Sequence, residues 1–157
     1  MPQSRFRITW VLRNELALGP TPHNLRHLQR LEEEGVKAIV TLCDIDEHPQ
    51  LNEVETMFVR KRVVLPDHKS GRAPTSQQLD EALEVLSQLR NHGPVFVHCV
   101  ASMERSPLLC LAWLMRERGL SRLQALDYLT QVHPGTNPLP EQLALLNDGL
   151  QRRGPAI

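Results

Sequence analysis

Residues 107–115, Pro-Leu-Leu-Cys-Leu-Ala-Trp-Leu-Met, are apolar throughout, and charge returns only at Arg116-Glu117-Arg118. A helix that is apolar on every side has no face to give to water and must lie at the centre of a packed domain. The apolar run Val95-Phe96-Val97 stands shortly before it. So the chain must fold around a buried strand, a short loop and a buried helix.

The loop reads His98-Cys99-Val100-Ala101-Ser102-Met103-Glu104-Arg105-Ser106, with Pro107 entering the helix. A cysteine at a strand end, five residues and then an arginine at a helix start make a phosphate-binding nucleophile site. The helix N-terminus and a cation both favour thiolate, which brings a thiol from its ordinary pKa near ~8.5 into a range of roughly 3.5–7.5. Residues Val100, Ala101, Ser102, Met103, Glu104 and Arg105 wrap so that successive backbone N–H groups converge on one anion. The planar fork of Arg105 matches two phosphate oxygens, which the point charge of a lysine does not.

On these residues the chain resembles the cysteine-dependent phosphatases of the protein tyrosine phosphatase superfamily, in particular the small dual-specificity branch. That signature is His-Cys, five residues, Arg, then Ser or Thr, and 98–106 departs from it at one place. The family usually has glycine where Ser102 stands, and glycine tolerates positive φ and close backbone approach.

The resemblance implies roles for four further residues. Asp67, in Val63-Val64-Leu65-Pro66-Asp67, lies one helix and one strand before Cys99. By resemblance it is the general acid, and then the base for the water that attacks a cysteinyl phosphate. Asp44 and Asp46 are rivals whose spacing from Cys99 fits less well. The hydroxyl of Ser106 is implied to hydrogen-bond the Cys99 sulfur, and His98 to support the loop. Cys43, at the end of the apolar run 38–42, reads as core filler or, by resemblance, as a redox partner of Cys99. Cys110 reads as core.

Bulk properties bound the rest. The chain has 157 residues, which suits one ordinary domain. Its 18 basic and 18 acidic side chains cancel, so no overall field draws it to nucleic acid or membrane. Three cysteines without framework or zinc spacing imply free thiols, suited to a cytoplasmic setting, and no metal site. No apolar run reaches membrane-spanning length. The expected chemistry needs no cofactor.

Periodicity predicts alternating elements: strands over 6–12 and 15–18, a helix over 22–34, and a strand over 37–42. A short helix follows over 51–57, then a strand over 58–65 interrupted by Arg60-Lys61-Arg62. An amphipathic helix over 76–90 leads to a central strand over 95–98, and three helices over 107–118, 121–132 and 139–152 close the chain. This order implies a single α/β domain over 1–157, with the motif-bearing core at about 6–150 and a mainly parallel central sheet flanked by helices. Phosphate then binds at the carboxyl end of the central strand.

The expected function is hydrolysis of phosphotyrosine, and of phosphoserine or phosphothreonine, on a phosphorylated protein. Glu104 inside the loop opposes a second phosphate at close range. The alternatives are a phosphate-binding module with little turnover and a phosphatase acting on a non-protein phosphomonoester.

Overall fold

The computed structural model describes residues 6–47 and 51–147. Asn14, at φ 61°, turns the chain between β1 (Thr9–Leu12) and β2 (Leu16–Gly19), which pair antiparallel. Asparagine tolerates that left-handed conformation better than most residues. The Asn24 side chain caps α1 (Leu25–Glu33) by accepting from the His27 N–H at 3.0 Å, and β3 (Ala38–Thr41) follows. Next come α2 (Val54–Met57) and β4 (Val59–Arg62). Thr75 and Gln78 form a capping box at the start of α3 (Ser76–Leu89), which leads into β5 (Val95–His98). Then come α4 (Arg105–Arg118), α5 (Arg122–Val132) with a second box at Ser121 and Gln124, and α6 (Pro140–Leu143).

The sheet order is β1-β2-β5-β3-β4, and every pairing except β1–β2 is parallel. The strand that feeds the cysteine loop is therefore the middle one. Alternation along it sorts side chains to two cores. Val95 and Val97, with Leu16, Leu18, Ala38 and Val40, face α3, α4 and α5. Phe96, with Ala17 and Ile39, faces Leu28 and Leu31 of α1. As its composition requires, α4 is buried at every position from Arg105 to Met115. Each fully buried leucine in it contributes about 1.5–3 kcal/mol of transfer free energy.

Two predicted elements need correction. The strand expected over 58–65 is regular only at Val59–Arg62, with the Val63 and Leu65 N–H groups still bonding the Thr41 and Leu42 carbonyls, so the basic run does not interrupt it. It is the paired segment, at the sheet edge where charged side chains reach water. The last helix, expected over 139–152, ends at Leu143, and residues 148–152 lie outside the described set. The Leu143 carbonyl accepts from the Arg122 guanidinium at 3.2 Å, while Leu146 turns into the main core. Tertiary packing there overrides local helix preference.

Candidate active site

Three parallel strands deliver the site. Cys99 follows β5, Glu47 lies just beyond β3, and Asp67 lies just beyond β4, so all three gather at one carboxyl edge. They line a cavity of about 510 Å³ together with Val100, Ala101, Met103, Glu104 and Arg105. Its size falls within the roughly 300–1,000 Å³ of small-ligand sites. Lys69, Asn137 and Leu139 complete the wall. Asp44 and Asp46 do not line it.

Cys99 is buried, and the Ser106 hydroxyl lies 2.9 Å from its sulfur. Ser106 sits in the first turn of α4, where Pro107 is tolerated because first-turn N–H groups have no helical partner. Arg105 opens the same turn and is only 3% exposed. Its Nη1 donates to Glu47 Oε2 at 3.0 Å and to the Leu65 carbonyl at 3.1 Å, and its Nη2 donates to Glu47 Oε1 at 2.8 Å. Its Nε is buried and has no hydrogen-bond partner among the described residues. A buried donor left so costs about 1–3 kcal/mol.

Burial works against both charges of this pair, and their contact outweighs it. The Glu47 carboxyl falls below the ordinary carboxylate range through its hydrogen bonds with Arg105 and the Asp44 N–H, against the nearby charge of Asp67. Arg105 is held above its ordinary value by Glu47, with Cys99 and Asp67 acting in the same direction.

Four carbonyls of the loop, those of Cys99, Val100, Ser102 and Met103, are each held by a donor from outside the cavity wall or from its edge. His98 Nδ1 lies 3.2 Å from the Cys99 carbonyl, and His98 Nε2 lies 2.9 Å from the Thr41 hydroxyl. A carbonyl only accepts, so Nδ1 carries the proton. The Thr21 N–H reaches the Val100 carbonyl at 3.4 Å, and the Asn137 N–H reaches the Met103 carbonyl at 2.7 Å. His133 Nε2 is 2.8 Å from the Ser102 carbonyl and 3.2 Å from the Ser102 hydroxyl. In a trans peptide the carbonyl and the following N–H point opposite ways. Holding these carbonyls outside therefore turns the next N–H groups inward.

Ser102 has φ 64°, the conformation for which glycine is suited. A non-glycine residue there costs roughly 1–2 kcal/mol. Its side chain does not line the cavity with its neighbours; it faces a second hollow that His133 also lines. Cys43 is buried and close enough for the charge of Cys99 to bear on it, but does not line the cavity either. Burial, as the largest influence, pushes its thiol up. Among the described residues no cluster of His, Cys, Asp or Glu could hold a metal ion, and no helix is long and apolar enough to cross a membrane.

Sequence reasoning missed Glu47, Asn137 and His133. Glu47 had a faint signal, since it ends the acidic run Asp44-Ile45-Asp46-Glu47 beyond a parallel strand. Asn137 touches the loop through its backbone N–H and His133 through its ring at a backbone carbonyl, contacts that no side-chain pattern announces.

The sequence profile described as "Dual specificity phosphatase, catalytic domain" matches residues 16–149. The chain belongs to the dual specificity phosphatase family. Dual specificity protein phosphatase 1-A of Xenopus laevis is 35% identical over 120 residues, covering 74% of this chain and 30% of that relative. Human dual specificity protein phosphatase 14 is 29% identical over 114 residues, covering 72% of this chain and 54% of its own length. This chain thus spans about a third to a half of these relatives. Among solved structures, Tk-PTP in its active form superposes with a TM-score of 0.79 at 29% identity, covering 93% of this chain and 97% of that one. The kinase associated phosphatase, crystallised with its catalytic cysteine changed to serine, gives 0.76 at 21% identity over 97% and 98% of the two chains, a likeness of fold.

Proposed function

We propose that this chain hydrolyses phosphotyrosine, and phosphoserine or phosphothreonine, in proteins by way of a cysteinyl phosphate. The observation that carries this reading is the unpaired Nε of Arg105 in the wall that also holds Cys99. Glu47 occupies the Nη1–Nη2 edge of the guanidinium. The Nε side is left to meet oxygens of a phosphoryl group, assisted by the N–H groups that the outward carbonyls turn inward.

In the first step the Cys99 sulfur attacks phosphorus as the ester P–O bond breaks, and the Asp67 carboxyl protonates the departing oxygen. In the second step Asp67, now carboxylate, takes a proton from the water that attacks phosphorus. The P–S bond breaks, and Ser106 donates to the sulfur as it leaves, giving inorganic phosphate and free enzyme. Glu104 in the wall favours monoesters over substrates that place a second phosphate beside the first.

The test is turnover of phosphotyrosine, phosphoserine and phosphothreonine peptides by wild type and Cys99→Ser, with acid quenching of the wild type. Expected are hydrolysis and trapped protein-bound phosphate in wild type, and neither in Cys99→Ser. Wild-type rates in Cys99→Ser would overturn the mechanism, and a wild type that binds phosphate without turnover would leave a binding module.

A further inference from the structure

We infer that His133 is a positioning residue that holds the phosphate loop in its anion-binding shape through Ser102. The inference deepens the proposed function and rests on it. Ser102 is 3% exposed and stands in the left-handed region at φ 64°. Glycine would rest there unaided, whereas serine needs a restraint from its surroundings. His133 is placed to supply it. It is the first residue after α5, and the Thr136 N–H and hydroxyl bond its carbonyl at 3.0 Å and 2.7 Å, which closes a tight turn.

The proton positions follow from the acceptor. The Ser102 carbonyl cannot donate, so at 2.8 Å the His133 Nε2 must carry the hydrogen and donate it. The Ser102 hydroxyl, at 3.2 Å from the same nitrogen, shares that donor. On the far side His133 Nδ1 is 3.4 Å from the Thr9 hydroxyl of β1, a long contact that still ties the ring to the sheet.

The consequence reaches the cavity through one peptide plane. With the Ser102 carbonyl held outward, the Met103 N–H is directed to the opposite side. Met103 lines the cavity with Cys99, whereas Ser102 and His133 line the hollow behind it. Release of the Ser102 carbonyl lets that peptide rotate and withdraws one donor from the bound anion. His133 itself touches no substrate.

A double-mutant cycle tests this in the full chain. Rates with p-nitrophenyl phosphate and tungstate affinity are measured for wild type, His133→Ala, Ser102→Gly and the double variant, with circular dichroism to check folding. His133→Ala should lower kcat/KM about tenfold or more, mainly through KM, and weaken tungstate by a similar factor. In the Ser102→Gly background the same His133→Ala change should cost at most a third of that factor. His133→Gln, which keeps a side-chain N–H, should recover part of the loss, and it carries the cycle if the alanine variant does not fold. Equal losses in both backgrounds, or no loss in either, would overturn the inference. A wild type that neither hydrolyses the ester nor binds tungstate overturns the phosphatase reading, and this one with it. An active wild type without the coupling overturns only the role of His133.

Discussion

Glu47 grips Arg105 fork to fork, at 2.8 Å and 3.0 Å, across 58 residues of sequence. The carboxylate occupies one edge of the guanidinium and so fixes the plane in which the other edge lies. Arg105 is almost wholly enclosed, and Glu47 keeps 27% of its side chain in water. The pair orients an arginine more than it glues the fold.

Glu47→Gln should accordingly lower kcat/KM by roughly tenfold, equivalent to about 1.4 kcal/mol, mainly by raising KM. Its stability cost should fall below the about 3–5 kcal/mol of a fully buried broken pair. The pH dependence has a definite sign. A carboxyl depressed in the folded state stabilises it above the ordinary value near ~4.3, and that contribution is lost as pH falls through the depressed value. The difference in melting temperature between wild type and Glu47→Gln should therefore be steady from about pH 6 to pH 5 and shrink below about pH 4. A difference that grows on acidification would contradict the pairing.

Asp67→Asn should lower turnover of phosphotyrosine peptides by on the order of 10²–10⁴. The loss should shrink for aryl phosphates with strongly acidic phenols, which depart without a proton. A series of substituted phenyl phosphates gives the slope. An equal loss across the series would remove the general-acid role.

Ser106→Ala removes the hydroxyl 2.9 Å from the Cys99 sulfur. A hydrogen bond to a charged group contributes about 1.5–3 kcal/mol, or roughly 10-fold to 150-fold in rate. The loss should fall on the second step, where sulfur leaves. Rapid-quench measurements should then show a burst of phenol followed by a slow steady state, with protein-bound phosphate accumulating. Slowed burst and steady state together, with no accumulation, would place the effect in the first step.

Peroxide treatment should link Cys43 to Cys99. Oxidation of Cys99 gives a sulfenic acid, and attack by the Cys43 sulfur expels water and closes the disulfide. Because burial raises the Cys43 thiol, capture should accelerate as pH rises toward and past the ordinary thiol value near ~8.5. Peptide mapping should find the bridge, and reductant should restore activity. Equal recovery in Cys43→Ala would leave Cys43 as core filler.

Much of the architecture was legible from residues 95–118, because an apolar strand, a nine-residue loop and an all-round apolar helix admit few arrangements. The Ser106–Cys99 contact appears where the family resemblance implied it, and Asp67 lies on the cavity wall. Ser102 was legible as an oddity, and its positive φ gives the physical reason. Apart from His98, what supports the loop was not legible. Glu47 and Thr21 come from two separate segments, and His133 and Asn137 from a third, and all four meet the loop only in the folded chain, three of them at backbone carbonyls. The end of α6 was hidden for a similar reason, since Arg122, far away in sequence, takes a carbonyl that a longer helix would have used.

The burial of α4 on every side also governs how the protein loses its site. Arg105 and Ser106 are the first residues of that helix, and Cys99 is joined to the second by a hydrogen bond. The first turn is held by the same packing among α3, α5 and the sheet as the rest of the helix. Amide hydrogens from Leu109 to Met115 should exchange only when the whole chain unfolds, and oxyanion binding should vanish in the same cooperative transition. The protein would then carry no folded but anion-blind state on heating, and its melting curve and its ligand-binding curve should be one curve.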